Sequence, residues 1–149
     1  MQTVTVERTV DAQPASVRDA LGRLEPFVEA SGFDEVAVDG DTVEVGNQVG
    51  IMTLELTLEV VDDPDADLAY VQTEGLFDEM STTYTVDPAM GGDASVVTAT
   101  TDFSLDVPVL GDVLDATVIK RQRRKELESQ FDWLQQQAAG SGADESTVK

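Results

Sequence analysis

Hydrophobic and polar residues alternate along much of the chain with a period of two. Met52, Leu54, Leu56, Leu58 and Val60 take every second position between 51 and 61, with Thr53, Glu55, Thr57 and Glu59 between them. That is the pattern of a strand with one buried face. The same reading predicts strands over 3–10, 33–38, 42–49, 68–75, 80–86 and 95–105. In the first, Arg8 shares the inward face with Val4, Val6 and Val10. In 80–86 the inward set is Met80, Thr82, Tyr84 and Val86; in 95–105 it is Val97, Ala99, Thr101, Phe103 and Leu105. Asp39-Gly40-Asp41 is a strong hairpin turn, while 62–67 and 87–93 are loops rich in Asp, Pro and Gly.

Helical spacing appears in three places. Pro14, a residue favoured in the first helical turn, is followed by Val17, Ala20 and Leu21, and a second short helix over Leu24–Ala30 closes at Ser31-Gly32. The third is long. From Leu110 to about Ala138 the chain has room for roughly seven or eight turns at about 1.5 Å per residue. Asp112 and Asp115 suit the positive end of its dipole and Gly140 supplies a stop. Stepping about 100° per residue, Val113, Thr117, Leu127, Phe131 and Ala138 form one stripe, widened by Leu110, Leu114, Val118 and Leu134. The run Lys120-Arg121-Gln122-Arg123-Arg124-Lys125 holds five of the nine basic residues and crosses that stripe at Lys120, Arg121 and Arg124, so some of its charge must face inward or snorkel.

The order is therefore strand, two short helices, six strands joined by short turns, and one long helix. Turn lengths make the six strands an antiparallel meander, and a sheet apolar on one face needs the long helix to cover it. The expected class is α+β: a curved sheet of about seven strands wrapped around the C-terminal helix, with the domain at 1–138 and a disordered tail at 139–149.

Composition narrows the chemistry. A chain of 149 residues fits one domain. It has no cysteine and no histidine, which removes disulfides, thiolate nucleophiles, Ser-His-Asp triads and the usual zinc sites. No cofactor and no metal are expected. Asp63, Asp65 and Asp67 offer oxygens to Ca²⁺, but Pro64 stands among them and no EF-hand loop is completed, so solvated charge is the better account. The N-terminus alternates Thr and Val instead of carrying a charged segment and apolar run, and no stretch approaches about 18 apolar residues. A soluble, cytoplasmic protein is expected.

The formal net charge is −21, with a sequence pI near 4.1. Such charge repels nucleic acid phosphates and anionic lipid head groups, so neither nucleic acid binding nor stable membrane insertion is expected. Hydrophobic content of 41% in regular patterns argues against an acidic disordered chain. With lysine scarcer than arginine and carboxylates in almost every loop, the expectation is a halophilic protein whose repulsion is screened by a saline cytoplasm.

The opening strand Val4–Val10, followed by Asp11-Ala12-Gln13-Pro14-Ala15-Ser16-Val17 and Leu21, resembles the first strand and "P-x-x-V-x-x-x-L" helix of the helix-grip superfamily. That superfamily includes START domains, the Bet v 1 allergens, polyketide cyclases/aromatases and CoxG-like proteins. Val107-Pro108-Val109-Leu110-Gly111 before a helix with Leu127, Phe131 and Leu134 resembles its tail. The likeness spans residues 1 to about 138, and the charge suggests a haloarchaeal member. It departs at Arg18, where many members carry Trp, so the subfamily stays open. The resemblance implies a cavity between sheet and helix that takes apolar or amphipathic molecules.

Met52, Leu54, Leu56 and Met80 are candidate lining residues for that cavity, with Tyr84, Phe103, Leu114 and Val118; the bland alternative is a filled core. Two methionines and two aromatics would adapt to a hydrophobic guest. Arg121 or Arg124 could grip a carboxylate or phosphate at the cavity mouth through bidentate guanidinium geometry. The basic run could instead balance the acidic shell or meet an unknown protein partner. For catalysis, Tyr84, Glu74, Asp102 and the arginines are the available acid, base or oxyanion groups, without diagnostic spacing. Binding or transport of an apolar or amphipathic small molecule is the leading expectation. The alternatives are a polyketide cyclase/dehydratase-like enzyme, which could work by holding a flexible chain in a reactive fold, and a protein-interaction or chaperone-like module.

Overall fold

The computed structural model describes residues 2–49, 52–104 and 116–139. Strand β1 (Gln2–Val10) leads into helices α1 (Pro14–Leu21) and α2 (Leu24–Glu29). Six strands follow: β2 (Glu35–Asp39), β3 (Thr42–Val49), β4 (Met52–Val60), β5 (Leu68–Glu74), β6 (Glu79–Ala89) and β7 (Ala94–Ser104). Helix α3 (Ala116–Leu134) runs on into a wider π turn, Gln135–Ala139. The expected helix start at Leu110, with Asp112, Val113 and Leu114, lies outside the described residues, as does the expected tail from Gly140.

All seven strands form one antiparallel sheet in the order β1-β7-β6-β5-β4-β3-β2. The meander from β2 to β7 is closed at its far end by β1, which pairs with β7 from Gln2 opposite Phe103 to Val10 opposite Ser95. Turn chemistry fixes the β2–β3 hairpin, where Gly40 takes φ 62° as the first of two loop residues, the place at which a type II′ turn favours glycine. The loop expected at 87–93 is shorter than the sequence indicated. β6 continues through Pro88 to Ala89 and only Met90–Gly92 turns, with positive φ at Met90, Gly91 and Gly92.

The strand faces follow the alternation. Val4, Val6 and Val10 are buried on β1; Met80, Thr82, Tyr84 and Val86 on β6; Val97, Ala99, Thr101 and Phe103 on β7. Helix α3 crosses this inner face and buries Leu127, Phe131 and Leu134 against it. Arg8, inward but half-buried, keeps its stem in the core and sends its guanidinium to Asp132 of α3, with its Cζ 5.9 Å from the Phe131 ring centroid. This is the snorkelling expected of a long cation at the edge of an apolar face.

The helix phase differs from the apolar stripe. Thr117 and Val118 are exposed, whereas Ile119, Arg123, Glu126, Leu127, Gln130, Phe131 and Leu134 are buried. The inward charge is Arg123 and not Lys120, Arg121 or Arg124, all three of which are exposed. Three inward positions of α3 are thus polar, and a search for apolar periodicity rotates the N-terminal half of the helix away from its true face. Asp67 is also not a free solvated charge. It accepts from Arg18 Nε at 2.8 Å and from the Val86 backbone N–H at 2.6 Å, while Arg18 Nη2 reaches the Val86 carbonyl at 2.9 Å, tying α1 to β6.

Candidate functional site

Two polar networks lie between sheet and helix, and both begin with polar residues on inward strand positions. Thr82 of β6 and Thr101 of β7 are directly opposed, with their hydroxyl oxygens 2.9 Å apart. Each accepts a hydrogen bond at 3.2 Å from Nη2 of Arg123 on α3. Nη1 of Arg123 donates to Oε1 of Glu126, one turn on along the same helix face, and Oε2 of Glu126 accepts from Gln122 Nε2 at 3.2 Å. Both members of the pair are almost fully buried. Burial disfavours the guanidinium charge, but the Glu126 carboxylate, with Tyr70 and Tyr84 nearby, outweighs it and raises the Arg123 pKa further. Among the described residues its Nε–H has no partner.

The second network is neutral. Tyr70 and Tyr84 hydroxyls are 2.8 Å apart, Tyr84 donates to Gln130 Oε1 at 2.6 Å, and Gln130 Nε2 donates to the Phe27 carbonyl at 3.2 Å. Strand, α3 and α2 are joined through one chain of hydrogen bonds. Burial and then the Tyr70 neighbour push the Tyr84 pKa well above its usual value, so Tyr84 is held as a neutral phenol.

Beside the Arg123–Glu126 pair is a cavity of about 270 Å³ that opens to solvent. Its walls are Phe33, Val45 and Leu56 from the sheet side, Leu76 and Phe77 from the β5–β6 turn, and Ile119 from α3. Exposed Val118 and Gln122 stand at its mouth on the helix, and Asn47 and Gln48 face them from β3; buried Arg123 and Glu126 form the inner end. Gly75 shapes the turn that carries Leu76 and Phe77. With φ 148° and a Cβ position only 2.5 Å from Leu56 Cδ2, a side chain there would push a cavity wall out of place.

Of the residues singled out in the sequence, Leu56 and Val118 line the cavity. Met80, Tyr84 and Phe103 do not; they are buried in the packed core, where the Phe103 ring packs tilted against Phe77 at 5.2 Å and Tyr84 meets Phe27 edge-on at 5.0 Å. Leu114 and the side chains of Met52 and Leu54 lie outside the described residues. Arg121 and Arg124 are exposed and away from the cavity lining, Arg124 donating to the Thr5 carbonyl at 3.4 Å. The arginine that reaches the cavity is Arg123. It was detectable: Thr82 and Thr101 on inward faces needed a polar partner, and Arg123 and Glu126 stand three apart on the helix that covers them. Glu74 is exposed, and Asp102 accepts from Thr3 Oγ1 at 2.6 Å, so neither stands with Tyr84. Among the described residues no cluster of carboxylates could hold a metal ion, and no helix is long and apolar enough to cross a membrane.

The same architecture recurs in solved structures of low sequence identity. A protein from Thermus thermophilus superposes with a TM-score of 0.75 at 19% identity, over 94% of this chain and 99% of that one. The Zhui aromatase/cyclase from Streptomyces gives 0.69 at 16%, over 91% and 94%. A START superfamily protein from Mycobacterium smegmatis gives 0.67 at 13%, over 93% and 97%. At these identities the likeness is one of fold. No curated protein matches the chain in sequence. The family model for polyketide cyclase/dehydrase and lipid transport proteins does match, over residues 1–138, and with its helix-grip architecture the chain belongs to that family.

Proposed function

We propose that this protein binds a compact amphipathic small molecule in the cavity between β3, β4, the β5–β6 turn and α3. The observation that carries this is an apolar-walled cavity ending on a buried ion pair. Apolar walls supply affinity through burial, and a few fixed polar groups at one end supply orientation. At about 270 Å³ the space falls just below the roughly 300–1,000 Å³ of common ligand pockets, which suits a single chain or a small ring system better than a two-chain lipid. Family membership supports the same reading, since lipid transport and polyketide cyclisation both require an apolar guest to be held.

Native mass spectrometry of the purified protein tests it. A reproducible mass increment, lost under denaturing conditions, is the expected result. Val118→Trp should abolish the increment, because the exposed side chain at the mouth can grow across the opening without entering the core. A protein that carries no guest and takes up none from a panel of apolar compounds overturns the proposal. Conversion of the bound compound on incubation would assign cyclase-like chemistry to the same cavity.

A further inference from the structure

Resting on that binding reading, we infer that the guest carries a neutral hydrogen-bond acceptor, such as a ketone, ester or amide carbonyl, and that Nε of Arg123 receives it. Arg123 lines the inner end of the cavity, and its Nε–H is the one buried side-chain polar group without a partner among the described residues. Each of the other two guanidinium nitrogens already has a partner. Nη1 is held by Glu126, and Nη2 is shared between Thr82 and Thr101. The two hydroxyls cannot serve the guest as donors either: Thr101 Oγ1 donates to the Ser81 carbonyl at 3.3 Å, and Thr82 Oγ1 to Thr101 or the Met80 sulfur. A buried donor left unmade is costly, and a guest that satisfies it regains that cost on binding.

Charge decides which acceptor fits. Glu126 already neutralises Arg123, so a carboxylate or phosphate guest would put two anions around one cation in a desolvated site. It would also have to approach a protein of net charge −21. A cationic guest would meet the guanidinium head-on. A carbonyl oxygen accepts from Nε without changing the charge balance. This differs from the expectation that Arg121 or Arg124 grips an anionic head: neither is among the residues lining the cavity, and the inward Arg123 is already paired.

Matched probes separate the alternatives. Isothermal titration at pH 8 with 2-nonanone and with nonanoate compares one chain length with two head groups. The wild-type protein should bind the ketone about ten- to a hundredfold more tightly, the range of one charge-assisted hydrogen bond. Glu126→Gln frees the charge of Arg123 and should raise nonanoate affinity until the preference narrows or inverts. Should that variant be too unstable to titrate alone, Arg123→Met/Glu126→Met removes the pair together, a replacement that buried pairs often tolerate; it should lose the ketone advantage. Nonanoate binding the wild type as tightly as the ketone, or a ketone preference that survives the double replacement, overturns the head-group assignment while leaving the cavity as a binding site. Failure of both probes to bind overturns the binding reading and this inference with it.

Discussion

Tyr84 is the largest of the fully buried side chains, and its hydroxyl is the node at which β5, β6 and α3 are hydrogen-bonded. Because burial, and after it Tyr70, raises its pKa in the folded state, the folded protein keeps a proton that the unfolded chain releases above about pH 10. The unfolded state then binds fewer protons than the native one, so the slope of stability with pH is negative there. The contribution of Tyr84 is therefore complete below about pH 10 and is lost as pH rises from that value toward the raised one. Urea denaturation at pH 8 and pH 11 should show it: wild type loses more stability over that interval than Tyr84→Phe, which has no phenol to ionise. An equal loss in the two proteins would mean that Tyr84 is not the group responsible. Arg123 shows the complementary logic. A buried ion pair offers little net stability over an apolar pair of the same volume, so folding alone gives little reason for its position beside the cavity.

Among the elements, strands were more legible in the sequence than the helix that covers them. Alternation located all seven strands, and on β1, β6 and β7 the inward residues that the structure describes, because one face of each meets the core and the other meets water. Register errors would have turned Val97 or Tyr84 outward, and both are fully buried. Helix α3 was found, with Leu127, Phe131 and Leu134 inward as expected, but the phase of its N-terminal half was not. Its inner face mixes Ile119, Leu127, Phe131 and Leu134 with Arg123, Glu126 and Gln130, and the hydrophobic stripe that ignores polar residues selects Thr117 and Val118 in their place. The charged end of the cavity was hidden for the same reason, since Arg123 and Glu126 read as surface charge. The same substitution at two neighbouring positions tests the phase. Ile119→Asp places an unpaired carboxylate against buried surface and should cost several kcal/mol, whereas Thr117→Asp, on the exposed face, should stay within about 0.5 kcal/mol. Comparable losses in chemical denaturation would return Thr117 to the inward stripe.

For the whole molecule the dominant quantity is a net charge of −21 carried on 149 residues. Folding concentrates it. On the outer face of the sheet Glu35, Glu44, Glu55 and Glu74 surround one shallow hollow, and the register that sets Glu44 opposite Thr57 and Gly46 opposite Glu55 leaves Glu44 and Glu55 as diagonal neighbours about 7–8 Å apart by strand geometry. Like charges at that distance repel in dilute buffer, where the Debye length is about 30 Å at 0.01 M, and barely interact at about 3 Å in 1 M salt. The unfolded chain spreads the same charges further apart, so salt should favour the native state. Thermal melts followed by circular dichroism should therefore shift upward as KCl rises from about 0.01 to about 1 M. Glu44→Gln/Glu55→Gln separates this from a general salting-out of apolar surface. It should melt higher than wild type at low salt and gain less from added KCl, because part of the repulsion is already gone. A wild-type melting temperature that stays flat or falls with KCl would remove the case for adaptation to a saline interior. A double variant with undiminished salt dependence would instead show that the stabilisation by salt does not come from these carboxylates.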